Sequence, residues 1–307
     1  MAVGVLRAVN MMGGSIQVTL GMCAYNEAAN IGKAIESVYA QKLDGFEMIE
    51  LIVVSSGSTD GTDDIVKNLM IEHGNLRLVR QEKREGKNSA VNRFFDEKKT
   101  KIVVIMNADT IFSDGRSLQR LLEPLNEEDA GIVGGHPIPT NDRKTFAGFA
   151  SHMIWIMHHY VSLINPQIGE IIAFRDIGTR LSVNNSGDEG TLKMELEKAG
   201  YRSVYAPEAK VLNRGPETVT EFLKQRTRVN IGERIIKKEH DYDFPTWSVR
   251  ALYSAYVDTI KEMGFHPIMI IASTSMELYS RVKAHLHVKF KKSDISAWEP
   301  IKTTKKI

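Results

Sequence analysis

The chain has 307 residues, 42% of them hydrophobic and 25% charged, with a formal net charge of +2. That is the composition of an ordinary globular protein long enough to bury a substantial core, and its balance gives no argument for nucleic acid or another polyanion as partner. The single cysteine, Cys23, excludes an intrachain disulfide framework and fits a reducing, cytoplasmic setting.

In chain order, Ile16 to Met22 predicts a strand and Ile31 to Ala40 a helix. Met48 to Val54 predicts a strand, Gly61 to Ile71 a helix, Leu76 to Val79 a strand and Lys87 to Phe95 a helix. The run KIVVIM, Lys101 to Met106, is a further strand; Leu118 to Leu125 reads as helix and Gly131 to Gly134 as strand. Short β-branched runs without strict alternation imply strands covered on both faces, hence an α/β fold with a mostly parallel sheet. Ligands of such sheets sit at the carboxyl ends of strands.

The second half changes character. Thr145 to Leu163 is a long apolar segment carrying Met153, Trp155, Met157, His158 and His159, and Glu170 to Phe174 returns to strand. The paired histidines either meet a lipid phosphate or simply close that helix. Helices are expected over Glu189 to Lys198 and over Glu217 to Lys238, the latter opened by Gly215-Pro216 in N-cap and N1 positions. Helical pattern then continues to about His287. The simplest division is a catalytic domain over 1–240 and a helical C-terminal extension over 241–307. The extension ends in a basic tail with Arg281, Lys283, Lys289, Lys291, Lys292, Lys302, Lys305 and Lys306 against Asp294 and Glu299. Met1 to Gly14 is too short and too weakly apolar for a secretory signal. Pro267 to Ala272 falls well short of the ~20 apolar residues that span a bilayer.

Four polar clusters fall at strand ends. Ala24-Tyr25-Asn26-Glu27 follows the first strand, and Ser55-Ser56-Gly57-Ser58-Thr59-Asp60-Gly61-Thr62 the second. Small residues there let backbone N–H groups approach a ligand, with Asp60 placed to cap the next helix. Arg84-Glu85-Gly86-Lys87-Asn88 opens a helix with a cation, which opposes the helix dipole and calls for an anion nearby. Asn107-Ala108-Asp109 closes the KIVVIM strand and offers oxygen ligands to a hard cation.

The order and spacing of these clusters resemble the family 2 glycosyltransferases of the GT-A fold, over roughly Ile16 to Gly232. The resemblance implies a Rossmann-like domain using a nucleotide-diphosphate sugar and a divalent metal ion, Mn²⁺ or Mg²⁺. By it, Tyr25, Asn26, Glu27, Ser56 and Ala108 cradle the donor, Lys87 holds base or phosphate, and Asp109 with Asn107 meets the metal. The family's acidic pair before a helix ending Ala-Gly-Tyr-Arg is here Asp188-Glu189 ahead of Ala199-Gly200-Tyr201-Arg202. Spacing from Ala199 makes Glu189 the general base, with Asp188 beside it. Gln225-Arg226-Thr227-Arg228-Val229 looks like the Gln-x-x-Arg-Trp element, placing Gln225, Arg226 and Arg228 on the departing diphosphate.

Departures bear on specificity. Ser55-Ser56 replaces the usual Asp-Asp, which removes a carboxylate that reads a uracil N–H. Asn107 replaces the first metal carboxylate, and Val229 the aromatic on which an acceptor sugar could stack. The expected activity is an inverting sugar transfer to an acceptor hydroxyl, lipid-linked or on a small molecule, with an anionic membrane surface as a further partner at the cytoplasmic face. A non-catalytic sugar-nucleotide binder and a sugar-nucleotidyltransferase are the alternatives; the second would need a Gly-rich loop followed by Arg and Lys, which Ile16 to Asn30 lacks.

Overall fold

The computed structural model describes residues 14–183, 187–290, 301, 303 and 304. Residues 1–13 of the opening stretch, and Lys291, Lys292, Asp294, Glu299, Lys302, Lys305 and Lys306 of the tail, lie outside the described residues.

The strands are β1 (Ile16–Ala24), β2 (Phe46–Ser56), β3 (Leu76–Gln81), β4 (Ile102–Asn107), β5 (Thr110–Phe112), β6 (Ala130–Pro139), β7 (Ile171–Arg175) and β8 (Arg202–Asn213). The helices are α1 (Ile31–Tyr39), α2 (Thr62–Glu72), α3 (Lys87–Glu97), α4 (Ser117–Leu122), α5 (Phe146–Ile164), α6 (Asp188–Lys198), α7 (Val219–His240), α8 (Val249–Met263) and α9 (Pro267–Phe290). All eight strands form one sheet in the order β3-β2-β1-β4-β7-β6-β8-β5. The sheet is mixed: six strands share one direction, while β7 runs antiparallel to β4 and β6, and β5 antiparallel to β8.

Apolar residues on alternate sides of the strands bury the two faces separately. Leu20, Met22, Leu51, Val53, Val104 and Met106 pack under α1, α2 and α4 through Ile31, Ile35, Val66 and Leu121. Ile52, Val54, Val103, Ile105 and Phe174 pack under α3 and α6 through Val91, Phe94, Phe95, Leu192 and Leu196. Gly21 permits the close approach of α3, since a Cβ there would lie 2.6 Å from the Phe94 ring. Fully burying side chains of this size contributes roughly 1.5–3 kcal/mol each.

The long apolar segment is α5, and most of its apolar surface is core. Phe149, Met153 and Ile156 pack against Met263 of α8 and Ile270 of α9, while Ile231 of α7 packs against Ala284 of α9. The extension therefore clasps α5 and α7.

Two capping expectations shift. Helix α7 begins at Val219, not around Pro216, because Thr218 is the N-cap and its hydroxyl accepts from the Glu221 N–H. Gly215 is held in the preceding connection by Asn141, which donates to its carbonyl at 2.8 Å and accepts from its N–H at 2.7 Å. Gly61, at φ +94°, occupies the N-cap of α2; Asp60 acts one residue earlier, accepting from the N–H of Thr62 and of Ala28.

Candidate active site

The carboxyl ends of β1, β2 and β4 open onto a cavity of about 510 Å³, closed from the other side by α5, α6 and α7. Its lining includes Tyr25, Glu27, Ser56, Lys87, Ala108, Asn107, Asp109, Asp188, Glu189, Gln225, Arg226 and Arg228. The structure thus gathers onto one cavity residues that are up to two hundred positions apart in the chain.

Asn26 is the exception among the expected donor residues. It sits in the left-handed region at φ 54°, which Asn tolerates, and its Oδ1 accepts from the Thr59 N–H at 2.9 Å. Ser58 Oγ accepts from the Asn26 N–H in return. Asn26 is absent from the cavity lining because its amide ties the β1 turn to the β2 turn. Ser55 is likewise committed, buried and donating to Asp63. Ser56 Oγ accepts from the Glu85 N–H and remains at the cavity edge. Arg84 lies over the Tyr25 ring at 4.4 Å, a cation–π contact that braces the aromatic at the mouth.

The anion that the Lys87 position called for is a pair of carboxylates. Lys87 Nζ lies 2.7 Å from Asp188 Oδ2 and 2.7 Å from Glu189 Oε1. Burial works against charge on all three groups. The two carboxylates nonetheless hold Lys87 protonated, its pKa raised above the ordinary lysine value. Burial, and then the Glu189 carboxylate, raises Asp188; against burial, Lys87 and a hydrogen bond from Asp188 hold Glu189 low. Asp188 and Glu189 form the first turn of α6, where the helix dipole favours acids. The Glu189 side chain is the more open of the two, 20% exposed against 8%.

One acidic residue escaped the sequence reading. Glu170, at φ 58°, precedes β7, and its Oε2 accepts from Asn107 Nδ2 at 2.8 Å. Burial and the neighbouring Asp109 push the Glu170 carboxyl up to about 7. No local motif marks it; it arrives by the antiparallel pairing of β7 with β4, which aligns Ile171 with Met106. Asp109, Glu170 and the Asn107 amide oxygen are hard oxygen donors on one cavity floor, a set that suits a divalent cation. Among the described residues, the trio of ligand atoms close enough to share one ion is Glu36, Glu72 and His73, and none of these lines the cavity.

The two arginines of α7 part company. Two residues along a helix are about 200° apart. Arg226 turns to Glu277 of α9 in a bidentate ion pair, Nε to Oε2 2.8 Å and a terminal nitrogen to Oε1 3.1 Å. Arg228 faces the acidic groups of the cavity: burial lowers its pKa, and Asp188, Glu189, Glu170 and Asp109 oppose that only in part. The Cys23 thiol, beneath this cluster, is pushed up to about 12 by burial and stays protonated.

The profile of glycosyl transferase family 2 matches residues 19–183. The chain belongs to this family. It is 22% identical over 222 residues to a poly-beta-1,6-N-acetyl-D-glucosamine synthase of Staphylococcus aureus, covering 69% of this chain and 53% of that protein. It therefore spans about half the length of that curated relative. A shorter match, 27% identical over 112 residues and 36% of each chain, is to glycosyltransferase GlyG of Streptococcus pneumoniae. Among solved structures, the fold superposes on the mannosyltransferase PcManGT from Pyrobaculum calidifontis, in complex with GDP-Man and Mn²⁺. That likeness has a TM-score of 0.65 at 19% identity and covers 92% of this chain and 89% of the other. S. aureus TarS is similar at a TM-score of 0.51 and 13% identity over 89% of this chain and 55% of that one. The fold is GT-A, a curled mixed sheet with a helical C-terminal extension.

Proposed function

We propose that this chain is an inverting glycosyltransferase, moving a sugar from a nucleoside-diphosphate donor to an acceptor hydroxyl by single displacement. The observation that carries the reading is the meeting of Lys87, Asp109, Glu189 and Arg228 on one cavity at the strand ends. Glu189 takes the proton from the acceptor hydroxyl as that oxygen attacks the anomeric carbon. The bond from that carbon to the diphosphate breaks, and the diphosphate leaves with the electron pair. Arg228 and Lys87 stabilise the charge it gathers, and Asp188 shares its proton with Glu189 and keeps the pair oriented. Asp109, Glu170 and Asn107 would hold a divalent cation, which supplies charge neutralisation to the leaving diphosphate. The similarity to a mannosyltransferase complexed with GDP-Man and Mn²⁺ supports both donor class and metal.

The acceptor is lipid-linked on this reading, and the protein works at a membrane face. Support comes from α9, which leaves Ile268, Ile271, Leu278, Tyr279, Val282, Leu286 and Phe290 exposed along one side. Among the described residues no helix is long and apolar enough to cross a membrane, so attachment would be peripheral.

A thermal-shift panel of UDP, GDP, CDP and dTDP, each with Mn²⁺, Mg²⁺ or EDTA, tests the donor and metal together, because ligands of the folded state raise its melting temperature. At least one nucleotide should stabilise the protein only with metal. Asp109→Ala should abolish that metal-dependent shift along with slow donor hydrolysis, whereas Asn107→Ala should only weaken both. Nucleotide shifts indifferent to EDTA and to Asp109→Ala would remove the metal from the mechanism.

A further inference from the structure

Donor-side residues come from the ends of β1 and β2 and from α3, on one half of the sheet. The opposite wall of the same cavity, built by α5, residues 167–169 ahead of Glu170 and the end of β8, has no role in the mechanism above. It carries Trp155, His158, Gln167 and Asn213.

Four polar atoms of that wall are shut off from solvent and lack any hydrogen-bond partner: both ring nitrogens of His158, Gln167 Oε1 and Asn213 Oδ1. Orphaned buried polar atoms are rare and costly, so several on one cavity wall point to a ligand that completes them. Their placement is built. Both of its rings lie against the Gly169 backbone, where an added Cβ would sit in ordinary van der Waals contact, 3.7 Å from Trp155 Cη2 and 3.9 Å from His158 Nε2. The Trp155 and His158 rings meet edge to face at 5.2 Å. Asn213 is register partner of Thr110, the residue after Asp109, and Thr110 Oγ1 lies 3.5 Å from Glu170. The wall is therefore continuous with the floor on which transfer would occur.

The chemistry of the occupant follows from these groups. A wholly apolar ligand would leave the orphaned atoms unsatisfied. An anion would face Asp109 and Glu170, while the cavity's arginines are engaged elsewhere, Arg214 with Glu217 and Arg226 with Glu277, or assigned to the donor diphosphate, as Arg228 is. A neutral polyol ring offers hydroxyls to the nitrogens and oxygens and an apolar C–H face to an indole. We propose that Trp155, His158, Gln167 and Asn213 form the acceptor subsite and bind a neutral sugar ring stacked on Trp155. The aromatic that Val229 fails to provide from α7 is thus supplied by α5. This inference rests on the transferase reading above, which places the donor on the other half.

Saturation-transfer NMR with the methyl glycosides of mannose, glucose and N-acetylglucosamine tests it, in the presence of the stabilising nucleoside diphosphate and metal. At least one should bind, and Trp155→Ala should weaken it on the order of tenfold. Gln167→Met, which keeps the side-chain length and removes the orphaned oxygen, should weaken it too. Persistence of the nucleotide thermal shift in each variant verifies its fold. The octyl glycoside of the same sugar, below its micelle concentration, forms a second arm. Tighter binding there assigns the sugar to a lipid carrier and equal binding to a free saccharide, and either upholds the subsite. Absence of binding by every glycoside, or binding unchanged in both variants, overturns it. If no nucleoside diphosphate stabilises the protein, the transferase reading fails instead, and the glycoside arm, run without nucleotide, still decides the subsite.

Discussion

The Arg226 guanidinium is spent on Glu277: Nε sits 2.8 Å from Oε2, and Arg281 Nε reaches the other oxygen at 2.9 Å. Burial opposes the charge on Glu277, yet the two arginines hold its carboxyl below the usual range. This cluster clamps α9 to α7, so of the two α7 arginines the one left for a diphosphate is Arg228. Arg228→Gln should lower turnover by about 10²-fold with little change in melting temperature, the scale of removing one charge-stabilising donor. Arg226→Gln should do the reverse, because it leaves a buried carboxylate with Arg281 as its remaining ion-pair partner. Equal losses of turnover at matched stability would return Arg226 to the site.

The acidic pair divides by exposure. Glu189→Gln should leave the nucleotide thermal shift near normal and cut transfer by about 10²–10⁴, the usual contribution of a general base. Asp188→Asn should cost less, since its carboxyl is nearly closed off and acts through its neighbour. A dead Asp188→Asn beside an active Glu189→Gln would exchange their roles.

The alternation of strand and helix and the four strand-end clusters were legible from the sequence because each is local. Short β-branched runs such as KIVVIM favour covered strands, and small polar residues directly after them favour turns. What was illegible depends on partners far along the chain. Glu170 becomes a floor residue only through β7 pairing against β4, and Arg226 meets Glu277 fifty-one positions later. Asn26 sits in the Tyr-Asn-Glu motif, but the motif does not reveal that its amide is used on Thr59. Thr218 outcompetes Gly215-Pro216 as helix start because Asn141, from the end of β6, has already fixed Gly215.

Lys87 gives the pH prediction. In the native protein the depressed Glu189 contributes stability above the ordinary carboxylate pKa, about 4, and loses it as pH falls through its lowered folded value. Asp188, raised, contributes below that ordinary value and loses its contribution as pH rises through its raised one. Lys87→Met removes the cation, so both folded carboxyls rise and the folded state binds more protons than the unfolded. Stability then falls with increasing pH. The melting temperature of Lys87→Met should lie several degrees further below the parent at pH 8 than at pH 5. A deficit independent of pH would mean that the lysine contributes by packing alone.

The remaining prediction concerns the outer side of α9. At 100° per residue, Ile268, Ile271, Leu278, Tyr279, Val282, Leu286 and Phe290 fall within an arc of about 120°. Ile270, Ser273, Ser280 and Ala284 lie buried on the opposite side. Phe265, 80% exposed, extends the stripe toward α8, and Lys283 flanks it. An apolar stripe of this width on a helix otherwise packed into the protein fits the acyl boundary of a bilayer, with lysines at headgroup level contributing about 1 kcal/mol each near an anionic surface. Co-sedimentation with phosphatidylglycerol vesicles is expected at low ionic strength. It should weaken in 1 M salt, where the Debye length is about 3 Å. The double variant Ile271→Asp and Leu278→Asp should lose it at unchanged melting temperature, because both side chains are exposed. Self-association through the same stripe predicts a different result, a dimer in sedimentation velocity that the double variant dissolves, with no vesicle binding by the parent. That outcome would end the membrane reading and make a soluble acceptor the better assignment.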